Sequence, residues 1–164
     1  MCSAIVSLNG LLALFGSLTL ILAHQKTSRP PCCMDTLSSS VCQRLRHEKR
    51  VHFARRCNND IEFRLIQCCS TCNRFKRSIP YDRIAQSLVR MNCDDRYGAS
   101  FCKKYVNDQD VWTYKQWSCS GYSPYMAFRA CRKTCGFCDF DKVHYNLRNA
   151  TDACKSIPED KDRR

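Results

Sequence analysis

Cysteine is the residue type in this chain most able to do chemistry. Fifteen of the 164 residues are Cys, about 9%, a density found in disulfide scaffolds. Cys69/Cys72 and Cys135/Cys138 have the Cys-x-x-Cys spacing that can hold zinc. In an oxidising compartment the same thiols pair covalently. Histidine adds little. His47 and His52 lie five apart, off the i,i+4 spacing that places two ligands on one helix face, and His144 stands alone. All three are expected at the surface. The sequence contains no His-Glu-x-x-His, no Gly-x-Ser-x-Gly and no phosphate-cradling glycine loop. We therefore expect no catalytic residue, no metal site and no cofactor.

The compartment decides between metal and disulfide. From Leu11 to Ala23 the chain is almost uninterruptedly apolar and then turns polar at His24 and Gln25. That length, about 13 residues, suits a secretory leader and is too short to span a bilayer. The preceding Met1–Gly10 lacks the usual positive charge. We expect a cut after Ala23 and no transmembrane segment. The 141 residues that would remain carry 14 Cys, an even number that could close seven bridges. Secretion would also make Asn149-Ala150-Thr151 usable as an N-glycosylation acceptor.

The elements that must position these cysteines show an internal repeat. Cys33-x-Asp35-x6-Cys42 recurs as Cys93-x-Asp95-x6-Cys102; Cys57 and Cys119 follow, and then Cys68-x3-Cys72 and Cys131-x3-Cys135, each closing on Thr-Cys. The expected organisation is two tandem cysteine modules, 32–75 and 93–138, joined by a basic linker, 76–92, and followed by a polar C-terminal tail, 139–164. The fold class expected is small and disulfide-rich, with short α-helices and little or no β-sheet. Gln43–Arg56, a segment opened by a capping box of Asn59 and Glu62, and Tyr125–Cys131 behind Ser123-Pro124 are the helices we place. Modules of this size bury too little apolar area to fold comfortably alone, so cross-links must supply what a core cannot.

Charge is uneven. The formal net charge is +12, and residues 32–92 hold 12 Lys and Arg against 5 Asp and Glu, so the first module and joint carry most of the basicity. An acidic glycan, an anionic lipid surface or an acidic protein surface is the partner class this suggests. Arg55-Arg56 and the cations before them read as a polyanion-binding face or as a solvated surface. Without interleaved aromatics, nucleic acid is not expected.

The second module resembles the ShK-type domain, named after a sea-anemone potassium-channel toxin, and the nematode versions in particular. The residues that carry the resemblance are Cys93-x-Asp95, Cys102, Trp117 near Cys119, Tyr125-Met126 and Cys131-Arg132-Lys133-Thr134-Cys135-Gly136-Phe137-Cys138. It implies bridges Cys93–Cys138, Cys102–Cys131 and Cys119–Cys135, and an ion pair of Asp95 with Lys133. The 16 residues between Cys102 and Cys119 are a departure and read as a surface loop. Channel-blocking members present a Lys followed by a Tyr. The equivalent position here is Tyr125-Met126, and Lys104-Tyr105 has that chemistry in another place, so the resemblance supports the fold more than channel blockade. The first module matches in a divergent form, with Phe75 where a sixth Cys would lie. By analogy it implies Cys42–Cys68 and Cys57–Cys72. Of Cys32, Cys33, Cys69 and Cys154, one of the vicinal pair is expected to bond Cys69 and the other to hold the tail through Cys154, with an intermolecular bridge from Cys154 as the alternative.

Three further readings remain open at this level. Arg74-Phe75-Lys76-Arg77 fits a convertase site cut after Arg77, or simply a solvated basic linker. Trp112, Trp117, Tyr122 and Tyr125 are core around the bridges or an exposed binding anchor. Tyr125, Met126, Trp117, Lys104 and Tyr105 are the binding candidates. Together these point to a secreted, non-enzymatic protein that acts as an extracellular interaction module for a protein, receptor or matrix component. A potassium-channel-modulating or toxin-like effector, and a cationic antimicrobial or cuticle structural component, are the alternatives.

Overall fold

The computed structural model describes residues 27–106, Cys119 and 124–155, with the side chains of Tyr105 and Val106 outside that description. Among the described residues, seven short α-helices make up most of the regular structure: α1 Ser39–Glu48, α2 Arg50–Asn59, α3 Cys69–Asn73, α4 Tyr81–Met91, α5 Ala99–Val106, α6 Pro124–Ala130 and α7 Leu147–Cys154. A π turn, Phe63–Gln67, precedes α3. Among the described residues the β-structure is a single isolated bridge between Asp95 and Cys131. The chain is thus a small, helical, disulfide-rich fold.

Local chemistry explains where the helices start and stop. The Ser38 hydroxyl accepts from the Val41 amide and opens α1. A continuous helix over Gln43–Arg56 is not formed, because Lys49 leaves helical geometry (φ −127°, ψ 52°) and separates α1 from α2. The break lets α2 turn Phe53 onto Phe63 and Phe75, with edge-to-face ring centroids 5.4 and 5.5 Å apart. The next segment is capped one residue later than the sequence suggests. The Asp60 carboxylate accepts from the Phe63 amide at 3.0 Å, whereas the Asn59 side chain donates to the Arg55 carbonyl and closes α2. Glu62 is thereby free to point elsewhere.

Two hydrophobic clusters result. The smaller gathers Phe53, Phe63 and Phe75 around Cys42, Cys57, Cys68 and Cys72. The larger contains Leu65, Ile66, Phe128, Phe137 and Val143 with the apolar face of α4. The π turn serves both: Phe63 faces one, and Leu65 and Ile66 face the other.

The joint and the tail are corrected by this core. Residues 76–92 are not a solvated linker, since Tyr81, Ile84, Ala85, Leu88 and Val89 of α4 are all buried, an i, i+3, i+4, i+7, i+8 stripe. Nor is the described part of 139–164 a polar tail. Val143, Tyr145 and Ala150 are buried, the Tyr145 hydroxyl donates to the Phe137 carbonyl at 2.8 Å, and the Cys33 amide donates to the Ala150 carbonyl at 3.0 Å. Burial raises the Tyr145 phenol above its ordinary range.

Arg64 on the π turn is the costly residue of this core. It is fully buried, donates through Nη2 to the Ile79 carbonyl at 3.0 Å, and lies 5.8 Å from the centre of the Tyr81 ring. Its Nε and Nη1, with the Tyr81 hydroxyl, have no hydrogen-bond partner among the described residues. Desolvation lowers the pKa of Arg64 and raises that of Tyr81. A buried ion without full pairing contributes little to stability. Arg64→Met, which keeps the length and removes the orphaned donors, is expected to change urea-unfolding stability by less than about 1 kcal/mol or to raise it. Arg64→Ala is expected to lose about 2–4 kcal/mol by opening a cavity. A larger loss for Met than for Ala would contradict this account.

Candidate functional site

Every Cys from Cys32 onward is in a bridge: Cys32–Cys154, Cys33–Cys69, Cys42–Cys68, Cys57–Cys72, Cys93–Cys138, Cys102–Cys131 and Cys119–Cys135. In both Cys-x-x-Cys pairs each sulfur bonds a distant partner, so neither pair presents two thiols to a metal or a substrate. Among the described residues no group of three or more His, Cys, Asp or Glu is arranged to hold a metal ion. What the sulfur does here is hold surfaces in place.

Within that frame two carboxylates have matching surroundings. Asp35 accepts from the Thr71 amide at 3.0 Å and its hydroxyl at 2.6 Å. Asp95 accepts from the Thr134 amide at 2.9 Å and its hydroxyl at 2.6 Å. The expected ion pair of Asp95 with Lys133 is not formed. Both Asp95 oxygens are engaged by Thr134, which is next in the turn, and Lys133 is exposed. The buried neighbour Arg132 donates to the Asn92 carbonyl and lies 4.4 Å from the centre of the Phe128 ring. Gly136, at φ 82°, allows the chain to reverse so that the Phe137 amide reaches the Arg132 carbonyl at 3.0 Å.

The other sequence candidates scatter. Tyr125 is half-buried against the larger cluster, and its neighbour Met126 is 38% exposed, so the pair splits into one core residue and one surface residue. Lys104 is exposed on α5, the Tyr105 side chain is not described, and Trp117, with Trp112 and Tyr122, lies outside the described residues. Asn149 sits in the first turn of α7, and its side-chain amide donates to the His144 carbonyl at 3.2 Å. The stretch ending at Arg77 is a turn, closed by the Ser78 amide on the Phe75 carbonyl at 2.9 Å. Asn58 holds it from both sides, donating to the Arg77 carbonyl at 3.4 Å and accepting from the Ile79 amide at 2.8 Å. With Phe75 buried, this segment lacks the extended, accessible form a protease needs. We expect no cut after Arg77 in the folded protein.

Exposed cations are dense on α1, α2 and the turn after α3. Arg44, Lys49, Arg50 and Arg55 are exposed on α1, α2 and the break between them, and Arg74, Lys76 and Arg77 are exposed on the turn that Asn58 ties to the end of α2. None of the seven has a carboxylate partner among the described residues. The acids of this half are consumed internally: Asp35 by Thr71, Asp60 by Arg56 at 2.9 Å, and Glu62 by Arg96 and Arg129, each at 3.1 Å. Within residues 39–77, Glu48 is the acid left exposed without an ion pair among the described residues. Arg56 is the structural half of the Arg55-Arg56 pair, bonded also to Gln67 at 3.2 Å and stacked 4.0 Å from the Phe63 ring centre.

Two depressions mark this face. An open one of about 440 Å³ is lined by His52, Arg55, Arg56, Asn59 and Asp60. A notch of about 70 Å³ beside it has Leu45, Phe53 and Phe63 below a rim of Lys49, His52 and Arg56. In comparisons with known proteins, no family model, no curated protein and no solved structure matches this chain.

Proposed function

We propose that the protein is a secreted, non-enzymatic module, built from two tandem ShK-like units, that binds an extracellular protein or matrix component through its cross-linked surface. The observation that carries the reading is the pairing of all fourteen Cys from Cys32 onward together with seven exposed cations on α1, α2 and the turn after α3. Many disulfides persist in oxidising compartments. The matched Asp35–Thr71 and Asp95–Thr134 contacts support the tandem reading.

A binding surface held by bridges rather than by a large core should vanish when the bridges are opened. Oxidised full-length protein is expected to be retained on decellularised extracellular matrix, and reduced, alkylated protein is expected to lose at least about tenfold in apparent affinity. Equal retention of the two forms, or no retention of the oxidised form, would remove the proposal.

A further inference from the structure

We infer that the α1–α2 hairpin and the adjoining turn form a binding site for a sulfated polysaccharide. This rests on the extracellular reading above and names the partner class for the same molecule.

Four observations favour this ligand. The first is the balance of charge: Asp35, Asp60 and Glu62 are engaged by Thr71, Arg56, Arg96 and Arg129, which leaves Glu48 as the unpaired acid of residues 39–77 against seven exposed cations. A field of one sign attracts a polymer of the other. The second is residue type. Five of the seven cations are Arg, whose planar fork matches the oxygens of sulfate and carboxylate better than an ammonium does. The third is rigidity. Cys42–Cys68 fixes α1 and Cys57–Cys72 fixes α2 against the following segment, and Asn58 fixes the turn, so little backbone ordering remains to oppose binding. The fourth is shape: α2 has ten residues, about 15 Å of helix, and its C-terminal half lines an open depression rather than an enclosed pocket. That geometry suits an extended chain carrying repeated charges.

Competing polyanions fit less well. Single-stranded nucleic acid is held by aromatic rings on which bases stack, and the rings of this half, Phe53, Phe63 and Phe75, are all buried. A lipid surface needs an apolar face to insert. On α1 and α2 the large apolar side chain left exposed is Val51, while Phe53 faces the interior.

The test uses the oxidised full-length protein and heparin as the probe. Arg50→Glu/Arg55→Glu should weaken heparin binding at least about tenfold and flatten its salt dependence, as expected when cation–anion contacts are lost. Arg83→Glu/Lys103→Glu, an equal change of charge at exposed positions of α4 and α5, should weaken it less than about threefold. Arg50→Gln/Arg55→Gln, with an intact-mass measurement showing seven closed bridges, guards against a folding defect and should fall between the two. Chemically desulfated heparin should bind as weakly as the Glu variant does to heparin. Equal losses in the two Glu variants would mean diffuse charge and overturn the site. Tighter binding to oligo-dT or to phosphatidylserine vesicles than to heparin would overturn the ligand class. If matrix retention persists without heparin binding, this inference fails and the broader reading stands; if both are absent, both fail.

Discussion

Replacing Asp35 by Ala is expected to cost about 3–5 kcal/mol in urea unfolding under non-reducing conditions, since two hydrogen bonds to a charged acceptor contribute about 1.5–3 kcal/mol each. Asp35 is 8% exposed and Thr71 fully buried, so water has little access to the place of the lost oxygens. Both the Thr71 amide and its hydroxyl would be left as buried orphans. Asp35→Asn keeps the shape: its oxygen can accept from the Thr71 amide, and its NH₂ can donate to a rotated hydroxyl. It should lose only the charge assistance, about 1–2 kcal/mol. The matching Asp95→Ala should be milder, because Asp95 and Thr134 are only half-buried and solvent can satisfy part of what is exposed. A double change, Asp35→Ala with Thr71→Val, should cost less than the two single changes added, since each alone strands the other partner. Equal costs at Asp35 and Asp95, or a loss below about 1 kcal/mol at Asp35, would mean that these carboxylates do not organise their turns.

The fold class was legible because it depends on local quantities: cysteine density, the scarcity of alternating apolar residues, and a first-turn proline such as Pro124. Boundaries were less so. Asn59 and Asp60 are both good caps, and the choice falls to Asp60 only because the π turn presents the Phe63 amide to it. The stripe Tyr81, Ile84, Ala85, Leu88, Val89 was present in the sequence, yet Arg83 and Arg90 on the opposite side, and the basic run before it, made the segment look solvated. The cationic face was visible as composition and invisible as a site. What makes it a site is the removal of its acids, and Glu62 meets Arg96 and Arg129 across 34 and 67 residues, separations no local pattern encodes. Lys133 shows the reverse case. An ion pair implied by resemblance gave way to the adjacent Thr134, whose amide and hydroxyl engage both oxygens of Asp95.

Opening Cys32–Cys154 by Cys32→Ser/Cys154→Ser is expected to have an effect comparable with the Asp35 loss, through the unfolded rather than the folded state. The bridge spans 122 residues, which in the chain-entropy model corresponds to about 5 kcal/mol. The other six bridges shorten the loop it closes. Passing through Cys33–Cys69 and Cys93–Cys138, the remaining covalent path is only about 41 residues, and the expected loss falls to about 4 kcal/mol. Cys119–Cys135 spans 16 residues with no shorter route, so Cys119→Ser/Cys135→Ser should lose about 3 kcal/mol. The two variants should also differ in where they loosen. Without Cys154, α7 is held by the Tyr145 hydroxyl on Phe137, the Leu147 amide on Asp82 at 2.6 Å and the Cys33 amide on Ala150, so amide exchange in α7 should rise well before that of α4. If the order of stabilities were reversed, or if α7 exchanged no faster than α4, residues 139–155 would be held by their buried side chains alone and the bridge would be dispensable.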